Sequence, residues 1–219
     1  MRLEGTALTV AALVAGLIGV VLGVAADRFA TRWPEHDEEH PPGRAVDWRT
    51  AVCAIVGGLA MAGLVQEFSK DALALAVFGA WFVTLILGLA TDLDQRLLPN
   101  ELTLPVIPIA LVYALSGRNP LVGGDWLVAV GAAILIPAIL YLPSIPFGAG
   151  AFGLGDVKLL IGTGLLVGGE RALGGTVVGL LIAGVVLAIL LVTRRIGRRS
   201  YVPFGPFLIL GALWAVLLR

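Results

Sequence analysis

Uncharged stretches run through this chain at 5–26, 50–66, 72–91, 102–117, 126–155, 159–169, 172–193 and 200–218, and charged residues are confined to the gaps between them. A helix that crosses a bilayer needs about 20 mostly apolar residues. In hydrocarbon, only structures that satisfy their own backbone hydrogen bonds can span. The pattern therefore predicts an all-α, polytopic membrane protein. Only 14% of the residues are charged, against about 25% in soluble domains. A water-soluble enzyme, a nucleic-acid binder and a secreted disulfide scaffold are all excluded. A single cysteine, Cys53, leaves no intrachain disulfide and no CxxC site.

The stretch 126–155 is too long for one span and short for two. Pro143, Pro146 and the glycines after Tyr141 place a helix at 126–142, followed by a loop. That gives about eight transmembrane helices in a single integral membrane domain, 1–219. The first span is too long for a signal-peptide core and lacks a strongly basic preceding segment, so it reads as a retained helix. With eight spans, Arg28, Arg32, Arg44, Arg49, Arg96, Lys158, Arg194, Arg195, Arg198 and Arg199 share one face. Arg2, Lys70, Arg118, Arg171 and Arg219 share the other. The richer face is expected to be cytoplasmic, with both termini outside. The Arg194–Arg199 run reads as a positive-inside anchor that also suits anionic lipid. Trp33, Trp48, Trp81 and Trp126 read as interfacial anchors or packing residues.

Two polar motifs interrupt this pattern. Thr91-Asp92-Leu93-Asp94-Gln95-Arg96-Leu97-Leu98-Pro99-Asn100 stands between two apolar spans. Taken alone it reads first as a polar interfacial turn stopped by Pro99. Gly153-Leu154-Gly155-Asp156-Val157-Lys158 precedes a short apolar run. Taken alone it reads equally as a helix start, with an acid matched to the dipole and Lys158 snorkelling. Both motifs fall on the predicted cytoplasmic face, each beside a short span. Acidic groups and short helices are tolerated there when they line a wet cavity. Two carboxyls sharing a site hold one proton between them, which suits them to activate water and polarise a carbonyl.

These two stretches, DLDQRLLPN and GLGDVKLL, resemble the signature motifs of the type IV prepilin peptidases, the bacterial GxGD-type aspartic proteases. The family pattern sets an aspartate six residues before a Leu/Ile-Pro-Asn/Asp ending, which falls on Asp92 rather than Asp94. The second family aspartate falls on Asp156. The resemblance makes Asp92 and Asp156 catalytic and Gly153, Gly155, Lys158, Pro99 and Asn100 supporting residues. Asp94 is left as a bystander. Weaker similarity lies in Gly19–Pro34, with Arg32 near the family's arginine position, and in Pro203-Phe204-Gly205-Pro206-Phe207. The resemblance implies a multi-pass protein of the bacterial cytoplasmic membrane. It implies substrates that are prepilins or pseudopilins, cut after a glycine between a basic leader and an apolar helix, with no cofactor and no metal.

Many long family members carry a cysteine-rich, zinc-binding insert in the first cytoplasmic loop and also methylate the new N-terminus. Here that loop, 27–50, is short and free of cysteine, so methyl transfer is not expected. His36-Asp37-Glu38-Glu39-His40 matches an H-x-x-E-H string by letter only. Pro34, Pro41 and Pro42 deny it the helix that zinc chemistry of that kind requires, and a solvated acidic loop is expected. Two rival classes remain: an ion- or proton-coupled transporter using the same two acids, for which no inverted repeat is found, and an inactive scaffold for pilus assembly. The same chemistry on a preflagellin peptidase or a presenilin-like protease is disfavoured by the Leu-Pro-Asn and Pro-Phe-Gly-Pro-Phe stretches.

Overall fold

The computed structural model of the chain describes residues 2–36, 38, 41–147, 152–197 and 202–218. Every regular element among them is helical. The order is α1 (Arg2–Ala30), α2 (Trp48–Phe68), α3 (Ala72–Gln95), α4 (Asn100–Thr103), α5 (Val106–Leu115), α6 (Trp126–Tyr141), a 3-10 turn (Leu142–Phe147), α7 (Leu154–Val167), α8 (Gly169–Val192) and α9 (Gly205–Leu217). Five segments are long and apolar enough to cross a membrane: Gly5–Ala30, Trp48–Phe68, Ala72–Gln95, Trp126–Pro146 and Gly169–Val192. Asn100–Leu115 and Gly205–Leu217 are shorter apolar helices. His40 of the H-x-x-E-H string and Arg198 and Arg199 of the basic run lie outside the described residues.

The chain divides into two compact units, Met1–Leu102 and Thr103–Arg219. In the first, α1 and α2 meet backbone to backbone. A Cβ at Gly23 would collide with the Cys53 carbonyl, and one at Gly19 with the Gly57 carbonyl. Small residues at such crossings let helices approach closely, and packing between them then substitutes for the hydrophobic drive that lipid cannot supply. Beside the crossing, Leu13, Leu17, Val21, Ile55 and Leu59 are all exposed, as expected of surfaces solvated by lipid tails. α3 starts at Asp71, whose side chain accepts from the Ala74 N–H at 2.9 Å. Its aromatic start packs on the end of α2, with Phe68 and Phe78 stacked at 4.7 Å between ring centroids.

The loop joining α1 to α2 spans 31–47 rather than the expected 27–50. α1 continues through Asp27 because cationic side chains and Thr50 surround that carboxylate. A helix can carry an acid past its apolar run when the charge is paired. α2 starts at Trp48 because Asp47 caps it, accepting from the Arg49 N–H at 2.8 Å in a capping box with Thr50.

In the second unit α7 is the interior helix. It packs against α5, α6 and α9, and Leu159, Leu160, Leu165, Leu166 and Val167 are all buried. At Gly164 the α6 backbone approaches so closely that a Cβ would stand 2.6 Å from the Ala133 nitrogen. α7 has 14 residues, about 21 Å at 1.5 Å per residue. That is short of the roughly 30 Å of a hydrocarbon core. Neighbouring helices cover its sides, so a short apolar helix here does not have to match the lipid by itself.

Candidate functional site

The first motif forms the end of α3 and the turn beyond it. Asp92 sits in the last helical turn and is 5% exposed. Arg96 adopts the left-handed conformation, φ 57° and ψ 38°, and its backbone N–H donates to the Asp92 carbonyl at 2.9 Å. This C-terminal cap reverses the chain immediately after the acidic residues. Leu98 and Pro99 are buried, and Asn100 is exposed where α4 begins. Pro99 thus ends the turn, and its carbonyl accepts from the Leu102 N–H at 3.2 Å.

Asp94, expected as a bystander, is the hub of a buried ionic network within this unit. Its Oδ1 accepts from Arg44 Nε at 2.8 Å and from Arg49 Nη1 at 3.3 Å, and its Oδ2 lies 3.3 Å from His36 Nε2. Arg44 also reaches Asp27 Oδ1 through Nη2 and Asp47 Oδ1 through Nη1, both at 2.6 Å. The fully buried Asp27 accepts in addition from the Thr50 hydroxyl at 2.6 Å and pairs with Arg28. Gln95 donates to the carbonyls of Ala30 at 3.3 Å and Pro34 at 3.4 Å. Arg28, Arg44 and Arg49 thus stand against Asp27, Asp47 and Asp94, and the formal charges balance. Burial by itself would lower the Arg44 pKa. Its hydrogen bonds to Asp94 and Asp27 outweigh that and hold the pKa above the ordinary arginine value, so the guanidinium stays charged.

The expected solvated loop is corrected at His36. Glu35 and Glu38 are exposed, but the His36 side chain is only 4% exposed because it packs between Asp94 and Gln95. Residues 35 and 36 are not helical. Among the described residues no group of three His, Cys, Asp or Glu side chains is arranged to hold a metal.

The second motif opens α7. Gly153 is the residue before the helix, with φ −72° and ψ 144°, and its carbonyl accepts from the Val157 N–H at 3.2 Å. Asp156 lies in the first turn and is 8% exposed. Its carboxylate folds back over the helix start. A Cβ at position 153 would stand 3.2 Å from Oδ2, so glycine there leaves room for the acid. Oriented N–H groups at a helix start stabilise negative charge. Gly155 and Lys158 are half-buried on the same turn.

Each aspartate is therefore a buried carboxylate at a helix end, Asp92 with Pro99 and Asn100 in the first unit, Asp156 with Gly153, Gly155 and Lys158 in the second. The network around Asp94 was not read from the sequence. One signal for it was available: Asp27 directly follows an apolar run, and an acid at that depth requires a cation, which the adjacent Arg28 and the following loop's Arg44 supply.

A family model described as the type IV leader peptidase family matches residues 77–193. A prepilin leader peptidase/N-methyltransferase of Burkholderia pseudomallei is 31% identical over 74% of this chain and 52% of its own length. A type 4 prepilin-like proteins leader peptide-processing enzyme of Escherichia coli is 31% identical over 73% of the chain and 56% of its own length. A prepilin leader peptidase/N-methyltransferase of Aeromonas salmonicida is 30% identical over 58% and 43%. The chain thus spans about half the length of these curated relatives. No solved structure matches it.

Proposed function

The chain belongs to the type IV leader peptidase family, and from that premise we propose that it is a membrane aspartic endopeptidase that removes the basic leader from prepilins or pseudopilins at the cytoplasmic face. The observation that carries this reading is that both motif aspartates are buried carboxylates at helix ends, in the last turn of α3 and the first turn of α7. Such acids are costly in an apolar protein and are kept where they do chemistry.

In this reading Asp92 and Asp156 are the two catalytic acids, one acting ionised and the other protonated. The ionised carboxylate takes a proton from water as the oxygen adds to the scissile carbonyl, and the protonated carboxyl hydrogen-bonds the developing oxyanion. Collapse of the tetrahedral intermediate breaks the C–N bond, and a carboxyl proton passes to the leaving amine. Gly153 gives Asp156 its room. Pro99 and Asn100 fix the turn that follows Asp92, and Lys158 sets the charge near Asp156. No metal or cofactor takes part.

The protein works as a single domain over 1–219 in the bacterial cytoplasmic membrane. Eight spans cross it, formed by α1, α2, α3, α4 with α5, α6, α7, α8 and α9. The loop 31–47 has no cysteine, which supports peptidase activity without N-methyl transfer. The test is leader removal from a purified prepilin by the full chain in detergent. An intact leader after prolonged incubation with folded protein would refute the reading.

A further inference from the structure

We propose that Arg44 is a positioning residue that sets the direction of Asp92 by clamping the last turn of α3. The inference rests on the reading of Asp92 as a catalytic acid, and it concerns the loop that the peptidase reading leaves without a role.

The clamp joins three elements through one side chain. Arg44 Nη2 holds Asp27 on α1, Nη1 holds Asp47 at the cap of α2, and Nε holds Asp94 on α3. Asp94 stands two residues after Asp92 in the same turn. A final helical turn has few intrahelical bonds of its own and frays readily. Here it is pinned at two consecutive positions, because Gln95 is tied to the carbonyls of Ala30 and Pro34. Pinning positions 94 and 95 fixes the rotation of the turn, and with it the direction in which Asp92 projects.

Arginine is required for geometric reasons. Three different nitrogens of one planar fork serve three carboxylates, which a lysine ammonium cannot reproduce at the same distances. The Asp27 side chain is fully buried and that of Asp94 is 5% exposed. Removing the cation would leave both carboxylates without their shared partner, a costly state in a buried site. Arg49 and His36 would still face Asp94, and Arg28 would still face Asp27. The fold can therefore survive the loss while the turn loosens.

The test is leader removal by the full chain in detergent, with kcat and KM measured separately and the unfolding temperature of each variant recorded. Because a displacement of about 1 Å in a reacting group costs on the order of 100-fold, Arg44→Gln, Arg44→Lys and Asp94→Asn should each lower kcat by about 10- to 100-fold, with KM within about 2-fold of the parent. Asp47→Asn removes an arm of the clamp that does not touch α3, keeps a capping side chain, and should leave kcat within about 2-fold. If Arg44→Gln does not fold, Arg44→Lys, which keeps the charge but not the fork, carries the test. Parental kcat in folded Arg44→Lys would overturn the proposal. So would an equal fall in Asp47→Asn and Asp94→Asn, which would mark the loop as a general support. If Asp92→Asn itself still cuts, the peptidase reading fails. If Asp92→Asn is dead while the Arg44 variants cut normally, only the positioning role fails.

Discussion

The side-chain amide of Asn119 donates to the Leu166 carbonyl at 2.8 Å, and its oxygen accepts from the Leu121 N–H at 2.9 Å. Asn119 is fully buried, so one side chain shapes the turn before α6 and ties off the last turn of α7, the helix that Asp156 opens. Asn119→Leu keeps the branched shape but leaves the buried Leu166 carbonyl and the part-buried Leu121 N–H without their side-chain partner, a cost of about 1–3 kcal/mol. The expected result is a lower unfolding temperature in detergent. An unchanged midpoint would show that water or a shifted neighbour replaces both bonds.

Backbone packing predicts different outcomes for one substitution at two glycines. Gly23→Ala would drive a methyl into the Cys53 backbone carbonyl, and nothing lies within 4 Å of a Cβ at Gly184 on α8. Overpacking against backbone costs about 1–3 kcal/mol, whereas alanine is the better helix former by up to about 1 kcal/mol. Gly23→Ala should unfold earlier than the parent and Gly184→Ala no earlier, as measured by loss of helical signal on heating.

Basic residues set the predicted orientation. A reporter fused after Arg199 should read as cytoplasmic and one at the C-terminus as external, following the bias of lysine and arginine among the loops. Identical readings from the two fusions would contradict eight spans.

Processing is expected without methylation. The full chain, incubated with a prepilin and a labelled methyl donor, should release the leader and leave the product unlabelled. A chelator should not slow cleavage, because the loop 31–47 is held by ion pairs to Asp27, Asp47 and Asp94. Label on the product, or loss of cleavage with chelator, would reverse this reading.

Much of the fold was legible because uncharged stretches are a local signal. Among the described residues each contains a helix, and the break after Tyr141 was marked by Pro143 and Pro146. The start of α7 was legible because glycines and an acid precede an apolar run. What was not legible is non-local. Asp94 meets Arg44, Arg49 and His36 across separations of 45 to 58 residues, and no periodicity encodes that. The loop boundary moved from 27 to 31 in part for the same reason, since Asp27 is held by Arg44 and Thr50 from beyond the helix as well as by the adjacent Arg28. The interior position of α7 was hidden as well, because its composition matches that of helices facing lipid.

The central claim is that Asp92 and Asp156 perform the cleavage, and the most direct measurement is leader removal by Asp92→Asn, Asp156→Asn and Asp94→Asn side by side, with folded protein confirmed for each. Asparagine keeps the size of the side chain but neither ionises nor yields a carboxyl proton. Loss of either member of an acid pair should therefore cost at least about 100-fold, in line with general acid–base contributions. The account predicts no detectable cleavage by the first two variants and a reduced but measurable rate from Asp94→Asn. Cleavage by both Asp92→Asn and Asp156→Asn, or a dead Asp94→Asn beside an active Asp92→Asn, would contradict it.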